Sequence, residues 1–197
     1  MEARGVEAQW SGGTIRGEME ANFAPRPQYE IAAEFEKVEL GQLPWSARWA
    51  ERWKGTASGE LKLATAGIGR DELLKQLEGR GELQLKSAEL RGWDTAGSLE
   101  SGAVKPGSSQ WSKGAGNFTV KDRAVNFEEI RLEGSAGKAA LSVTAGFGQE
   151  MKLSFAPVGG EKRNGKSVSA KRMTIASDGT KALEAKMDAG SAVPPKL

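Results

Sequence analysis

The chain has 197 residues, of which 38% are hydrophobic and 27% are charged, and its formal net charge is +2. This length fits one domain, and the modest apolar share predicts a thin core, such as a single sheet with one apolar face. Cysteine and histidine are both absent, which excludes disulfide bonds, thiolate nucleophiles, imidazole bases and most zinc or copper sites. The two signs of charge are interspersed, and no basic stripe predicts nucleic-acid binding.

Alternation of apolar and polar residues with a period of two runs through most of the chain. Tyr29, Ile31, Ala33 and Phe35 share one face, while glutamates occupy the other. This pattern predicts half-buried strands with one wet face. The same spacing recurs at Leu61 and Leu63, at Leu83 and Leu85, at Phe118 and Val120, from Leu141 to Phe147, and from Met151 to Phe155. The sequence therefore predicts a mostly β fold: an antiparallel, repeat-like curved sheet or groove with two short helices.

Breaks in the alternation mark bulges and turns. Glu128 and Glu129 are consecutive polar residues between Phe127 and Ile130, which predicts a bulge or a strand break. Pro25-Arg26-Pro27 ends the first pair of strands, and Gly102 to Gln110 is a Gly/Ser/Pro loop. Asn164-Gly165 and Asp178-Gly179 predict two-residue hairpin loops.

The two predicted helices span residues 44–54 and 71–78. The first has Pro44 in its first turn and Gly55 just beyond its end, and the second is followed by Gly79. Trp45, Trp49 and Trp53 recur every four residues, so they form one stripe on the first helix. Two interpretations stay open for this stripe: it covers the sheet and completes the core, or it lies at a lipid or partner surface, where Trp beside cationic residues is common.

One motif match is rejected on its context. Gly160, Gly165, Lys166 and Ser167 fit the phosphate-loop pattern G-x-x-x-x-G-K-[ST]. A phosphate loop requires a helix directly after it, because backbone amides and the helix N-terminus face the phosphates. Residues 168–175 are β-branched and Ser-rich, which predicts a strand. The match is therefore interpreted as a chance occurrence at an Asn-Gly turn.

No other motif predicts catalysis. The carboxylate pairs Glu34/Glu36 and Glu128/Glu129 have no apolar surroundings and are interpreted as solvated outer faces. We therefore expect a non-enzymatic protein without cofactor, metal ion or nucleotide. No run reaches the roughly 18 apolar residues of a membrane-spanning helix, and the first residues lack the apolar region of a signal peptide. The chain is expected to be cytosolic or a piece of a longer chain that carries the targeting segment.

The order of spaced glycines and leucines from residue 28 to residue 157 resembles a known family. It comprises Phe35, Val38 and Leu40, then Gly55, Gly59, Leu61 and Leu63, then Gly79, Gly81, Leu83 and Leu85, then Leu90 to Asp94, and finally Phe118, Val120, Val125, Phe127, Ile130, Leu132 and Gly134. This order resembles the C-terminal region of the AsmA family of bacterial envelope proteins. The sequence departs from the family at Trp93-Asp94-Thr95, where aliphatic residues are usual, and it lacks the family's N-terminal membrane helix.

The resemblance implies a β groove with an apolar floor, in proteins tethered to the inner membrane that reach into the periplasm and are linked to phospholipid movement and outer-membrane biogenesis. It divides the chain into N-terminal strands of the same sheet or the end of a preceding repeat (1–27), an AsmA-like domain (28–157), β-hairpins (158–188) and a disordered tail (189–197). No catalytic residues carry over. The expected partners are phospholipid or a membrane surface and other domains of a longer chain, and the tether is a segment outside this chain.

We expect lipid or partner contact at one set of residues: Trp45, Trp49, Trp53, Leu61, Leu63, Leu83, Leu85, Phe118 and Val120. One-sided strands with only two short helices leave part of an apolar face uncovered, and acyl chains are one possible cover. The alternative is a structural module whose sheet edges pair with neighbouring domains.

Overall fold

The computed structural model describes residues 2–23, 25–43, 47–135, 137–158, 162–163, 166–167, 171–178 and 182–188. These residues form one large antiparallel sheet, one small hairpin and a few short helices. The predicted fold class, an open, curved and mostly β structure, is confirmed.

Eleven strands form the large sheet, and their spatial order follows the chain: β1 to β9, then β12 and β13. All neighbours are antiparallel, and β10 and β11 pair separately. The strands are β1 (Glu2–Trp10), β2 (Gly13–Asn22), β3 (Gln28–Glu39), β4 (Trp53–Ala66), β5 (Glu78–Arg91), β6 (Ser108–Lys121), β7 (Ala124–Gly134), β8 (Gly137–Gly146), β9 (Met151–Pro157), β10 (Lys162–Arg163), β11 (Lys166–Ser167), β12 (Arg172–Ser177) and β13 (Glu184–Asp188).

The helix predicted over residues 44–54 is wrong in extent. A 3₁₀ turn covers Leu40–Gln42, the helix α1 covers only Ala47–Ala50, and Trp53 is the first residue of β4. Residues 44–46, including Trp45, lie outside the described part. Trp53 leaves the helical path because it pairs with Leu90 of β5, so Trp49 and Trp53 do not share one helix.

The second predicted helix is α2 (Arg70–Lys75), which ends before Glu78. The predicted stop, Gly79, is instead a strand residue of β5 that pairs with Leu63 and Val120. A third helix, α3 (Thr95–Ser101), was not predicted. Its signals are local: the Asp94 carboxylate accepts a hydrogen bond from the Gly97 N–H at 2.9 Å, and Gly102 follows the helix with a φ of +77°.

The turn predictions have mixed outcomes. The break at Pro25-Arg26-Pro27 is confirmed, because β2 ends at Asn22 and β3 begins at Gln28. The two-residue loop predicted at Asp178-Gly179 is wrong: β12 and β13 pair from Ala176 and Glu184, so the connection is longer. Asn164 and Gly165 lie outside the described residues, between β10 and β11.

One face of the sheet is apolar across every strand, and large and small residues alternate along its cross-strand rows. In one row Phe35, Gly59, Leu83, Gly116 and Ile130 are direct neighbours on β3 to β7. The next rows read Leu61–Gly81–Phe118, Leu63–Gly79–Val120 and Leu85–Gly114–Leu132. The predicted continuity of the Leu61, Leu63, Leu83 and Leu85 face is therefore confirmed.

The glycines in these rows allow close approach between strands. A Cβ at Gly81 would overlap with the backbone carbonyl oxygen of Glu60 and with the ring of Phe118. A Cβ at Gly59 would lie 2.9 Å from Cζ of Phe35 and would overlap with the carbonyl oxygen of Glu82. Aromatic rings of neighbouring strands therefore lie over the glycines, and this packing fills the concave side of a strongly curved sheet.

Bulges add to the curvature. Each odd-numbered strand from β1 to β7 has one more residue than the paired stretch of an even-numbered neighbour: β1 against β2, β3 and β5 against β4, and β7 against β6 and β8. The bulge of β7 lies at Glu128 and Glu129, as predicted. Serines of adjacent strands satisfy the released backbone groups: the Ser58 hydroxyl accepts from the Lys37 N–H at 3.0 Å, and the Ser142 hydroxyl donates to the Glu128 carbonyl at 2.6 Å. A bulge bends its strand and raises the local twist, so a regular series of bulges curls the whole sheet.

The helix α3 packs against β6, β9 and β12. Trp111 stacks on Phe155 with ring centroids 5.7 Å apart. Beside this pair, the buried Ser109 hydroxyl accepts from the Thr95 N–H at 2.8 Å and donates to the Trp93 carbonyl at 3.0 Å. This hydrogen-bonded serine attaches α3 to the sheet, so one end of the molecule has an ordinary core.

The glycine packing makes a test of the fold. We expect Gly81→Ala to lower the free energy of unfolding by about 1–3 kcal/mol, the usual cost of overpacking, because the Glu60 carbonyl is backbone and cannot move away freely. Urea unfolding at a fixed temperature measures the change. Ala64→Val is the matched control, since Ala64 is exposed on the outer face of β4. An unchanged midpoint for Gly81→Ala would contradict the close approach.

Candidate functional site

An apolar cavity lies on the concave face of the sheet. Its wall includes Trp10 of β1 and Leu153 of β9, two strands separated by eight strand spacings. In a flat sheet these strands would lie roughly 38 Å apart, at about 4.8 Å a spacing. Both touch one cavity of about 220 Å³, so the sheet curls around it as a groove.

The wall of this groove is almost entirely carbon. Nineteen side chains from nine consecutive strands and the segment after β3 line it: Trp10, Ile15, Phe35, Val38, Leu40, Leu43, Trp53, Ala57, Leu61, Leu83, Leu85, Phe118, Val125, Phe127, Ile130, Leu141, Val143, Met151 and Leu153. Apart from the indole N–H groups of Trp10 and Trp53, these side chains carry no strong hydrogen-bonding group, so the wall favours hydrocarbon over polar ligands.

Five of the predicted contact residues line the groove, namely Trp53, Leu61, Leu83, Leu85 and Phe118. Leu63 and Val120 lie on the same face but outside the cavity wall, towards the end of the sheet that carries α2. Trp49 is completely buried in the main core, and Trp45 lies outside the described residues. Trp49 and Trp53 both belong to the buried core cluster, and Trp53 also borders the groove.

Sequence reasoning missed most of the wall. Phe35, Leu141 and Leu153 belong to strands whose alternation was recognised, so the period-two signal already placed them on the apolar face. Trp10 and Ile15 were missed because the cross-strand register decides which strands reach the cavity, and two strands far apart in the sheet meet only after it curls. No local pattern in the sequence predicts the curvature of the sheet.

Part of the groove wall is open to solvent. The Trp10 side chain is 42% exposed, and Ile15, Leu61, Leu83 and Phe127 are half-buried. By contrast, Leu40 and Trp53 are buried at the end of the groove that the 3₁₀ turn and α1 cover. The groove wall is therefore buried near the 3₁₀ turn and partly accessible to solvent at Trp10 and along the middle strands.

The convex face is charged, as predicted for Glu34, Glu36, Glu128 and Glu129, all of which are exposed. Glu34, Glu60 and Glu82 stand directly opposite one another on β3, β4 and β5. Like charges at such positions repel. The concave face of the sheet is therefore apolar, whereas its convex face is charged and exposed to water.

Elsewhere on the convex face the charges are paired. The Glu133 carboxylate lies 2.9 Å from Lys113 Nζ and 3.0 Å from Lys138 Nζ, and hydrogen bonds from these two ammonium groups hold the pKa of Glu133 below its usual value. Because the folded-state pKa is lowered, this contribution to stability is present above the unfolded-state pKa of about 4.3 and is lost as pH falls through the folded-state pKa.

The rejected phosphate-loop match has a partly described geometry. Lys166 and Ser167 form β11, which pairs with β10, where a phosphate loop would continue into a helix. Gly160 and Gly165 lie outside the described residues. Within the described ranges, no three Asp or Glu side chains are grouped to hold a metal ion.

None of the helices described here is long and apolar enough to cross a bilayer. A scan against protein-family models and searches of curated proteins and of solved structures found no match to this chain.

The row of three glutamates makes an electrostatic test. We expect Glu60→Gln to raise the urea midpoint, since removal of the central charge relieves two repulsions of roughly 0.2–1 kcal/mol each. The gain should shrink in 1 M NaCl, where the Debye length is about 3 Å. Glu133→Gln is the control. It should lower the urea midpoint, because it removes a carboxylate that lies between two lysines. A lower midpoint for Glu60→Gln would contradict the arrangement of the row.

Proposed function

We propose that this protein is a non-catalytic binder of phospholipid acyl chains and that the concave groove is its binding site. The observation that carries the proposal is the groove wall, in which nineteen apolar side chains from the curved sheet and the segment after β3 line one cavity. Since the wall is almost entirely hydrocarbon, a ligand gains affinity there mainly by burying hydrocarbon.

The size of the cavity fits one slender chain. Apolar cavities of about 150 Å³ hold a benzene molecule, and this cavity measures about 220 Å³. It is smaller than the roughly 300–1,000 Å³ of ordinary small-molecule pockets. A section of one acyl chain fits it, and a headgroup would stay outside, where the open side of the groove meets solvent.

The solvent exposure of apolar side chains in the groove favours a bound ligand. Leu61 and Leu83 are only half-buried although they lie in the middle of the apolar face. Exposed apolar surface costs about 25 cal/mol per Å², so a few hundred Å² left in water would cost several kcal/mol. An acyl chain in the groove removes that cost without any change in the protein.

The resemblance to the AsmA family extends the proposal to the cell envelope. A curved sheet with an apolar concave face is the architecture that the resemblance predicted for residues 28–157. We propose on this basis that the chain acts in the periplasm in phospholipid movement and outer-membrane biogenesis, tethered to the inner membrane by a segment outside this chain.

A second function has one observation in its favour. The edge strand β1 exposes Val6 and Trp10, with 52% and 42% of their surface accessible. A sheet edge with exposed apolar side chains is a site for strand addition. A structural module that pairs with a neighbouring domain would use this edge and would leave the groove as ordinary core.

Photo-crosslinking distinguishes these functions. A photoreactive amino acid is placed at Leu61 or Leu83, in the groove, or at Lys62 or Glu82, the adjacent residues on the outer face. The purified chain is incubated with phosphatidylethanolamine–phosphatidylglycerol vesicles, irradiated and analysed by mass spectrometry. We expect phospholipid adducts from positions 61 and 83 and none from 62 and 82.

Affinity gives the quantitative form of this test. We measure affinity by displacement of a fluorescent fatty acid from the groove. We expect Leu83→Gln to lower the fatty-acid affinity at least fivefold, because an unpartnered amide in an apolar site costs about 1–3 kcal/mol. Lys62→Gln should leave the affinity unchanged, and circular dichroism reports whether each variant is folded. Equal adducts from both faces, or no adducts from any position, would contradict the proposal.

A further inference from the structure

The strand β1 is an outer edge of the large sheet. Across the ranges that the structure describes, no strand pairs with the side of β1 opposite β2. Edge strands in soluble proteins are usually shortened, interrupted by proline or given inward-pointing charges. β1 has a bulge between Ala3 and Val6, but the segment from Val6 to Trp10 after it is regular and has no proline and no inward-pointing charge, and Val6, Ala8 and Trp10 face the concave side.

The hairpin loop fixes which backbone groups face the free edge. Ser11 and Gly12 form a two-residue loop with φ values of +46° and +77°, which is the type I′ geometry. In such a hairpin the flanking pair, here Trp10 and Gly13, is hydrogen-bonded, and hydrogen-bonded pairs alternate along the ladder. The N–H and C=O groups of Glu7 and Gln9 therefore point away from β2, towards the free edge.

This edge is complementary to itself in one register. If two β1 strands pair antiparallel about a two-fold axis at Ala8, Glu7 of one copy stands opposite Gln9 of the other, and both offer free backbone groups. Val6 then meets Trp10 of the other copy on the concave face, which is a favoured β-branched–aromatic pair. A register centred on Glu7 would oppose two carboxylates, and one centred on Gln9 would place Glu7 opposite the loop residue Ser11.

We infer that two copies of this chain associate through β1 in the register centred on Ala8. The inference goes beyond the proposed function and does not require it. The two sheets become one, and the two grooves become continuous across the axis, because Trp10 is part of the groove wall of each copy. Two short paired segments bury much less than the roughly 800 Å² per partner of a standard interface, so the dimer is weak and reversible.

The absence of cysteine from the chain makes a clean test. Residues directly opposite at a non-hydrogen-bonded position have Cα atoms about 4.5 Å apart, within the range that a disulfide spans. We expect Ala8→Cys to give a disulfide-linked dimer in diamide. Gln9→Cys is the matched control: in this register the two Cα atoms at position 9 are more than about 7 Å apart, so it should stay monomeric.

A second variant tests the association without a crosslink. Gln9→Pro removes an N–H that faces the free edge and takes no part in the β1–β2 ladder, so the fold should tolerate it. In sedimentation equilibrium we expect the unmodified chain to dimerise as its concentration rises. We expect Gln9→Pro to raise the dissociation constant of the dimer at least tenfold. Its fatty-acid affinity should stay unchanged, which separates this inference from the proposed function.

Two results would overturn the inference. One is a monomeric unmodified chain at every concentration up to about 1 mM, the weak limit of specific association. The other is crosslinking of Gln9→Cys as efficient as that of Ala8→Cys, which would indicate another register or random collision. Circular dichroism of each variant distinguishes a lost interface from a lost fold.

Discussion

The architecture depends on the interlocking of large side chains with glycines on the concave face. In β5 and β6 two glycines come before two large residues on the concave face, as in Gly79-x-Gly81-x-Leu83-x-Leu85 and Gly114-x-Gly116-x-Phe118-x-Val120. Because neighbouring strands run antiparallel, the glycine half of one lies against the bulky half of the next. A concave surface has less room per residue than a flat one, and this arrangement fits its side chains into that smaller area.

The curvature of the sheet and the difference between its apolar and charged faces reinforce each other. The bulges of the odd-numbered strands bend it, and the bend turns the apolar face inward while charged residues spread over the outer face. A flat sheet of the same composition would expose a broad apolar surface and aggregate. In the curled sheet the apolar surface is gathered around a groove whose wall is almost entirely hydrocarbon, which is the basis of the proposed lipid binding.

Much of the fold follows from the sequence, because alternation with a period of two is a local signal. It placed Phe35, Leu83 and Phe155 on strands and on the apolar face, and the double glutamate at 128 and 129 marked a bulge. The signal fails where the tertiary context decides. Trp53 fits a helical stripe equally well, but pairing with Leu90 draws it into β4. The groove itself depends on register and curl, so no single segment predicts that Trp10 and Leu153 line one cavity.

The strand order has a consequence for how the chain acquires its structure. Every strand from β2 to β9 pairs with the strand made just before it, so each new strand closes only the connection that joins it to its predecessor. Such a sheet can grow by one strand at a time on a completed edge, with little loop-closure entropy at each step. A chain that emerges from its N-terminus can therefore fold progressively during synthesis, and whole hairpins can be gained or lost in evolution while the remaining rows keep their register.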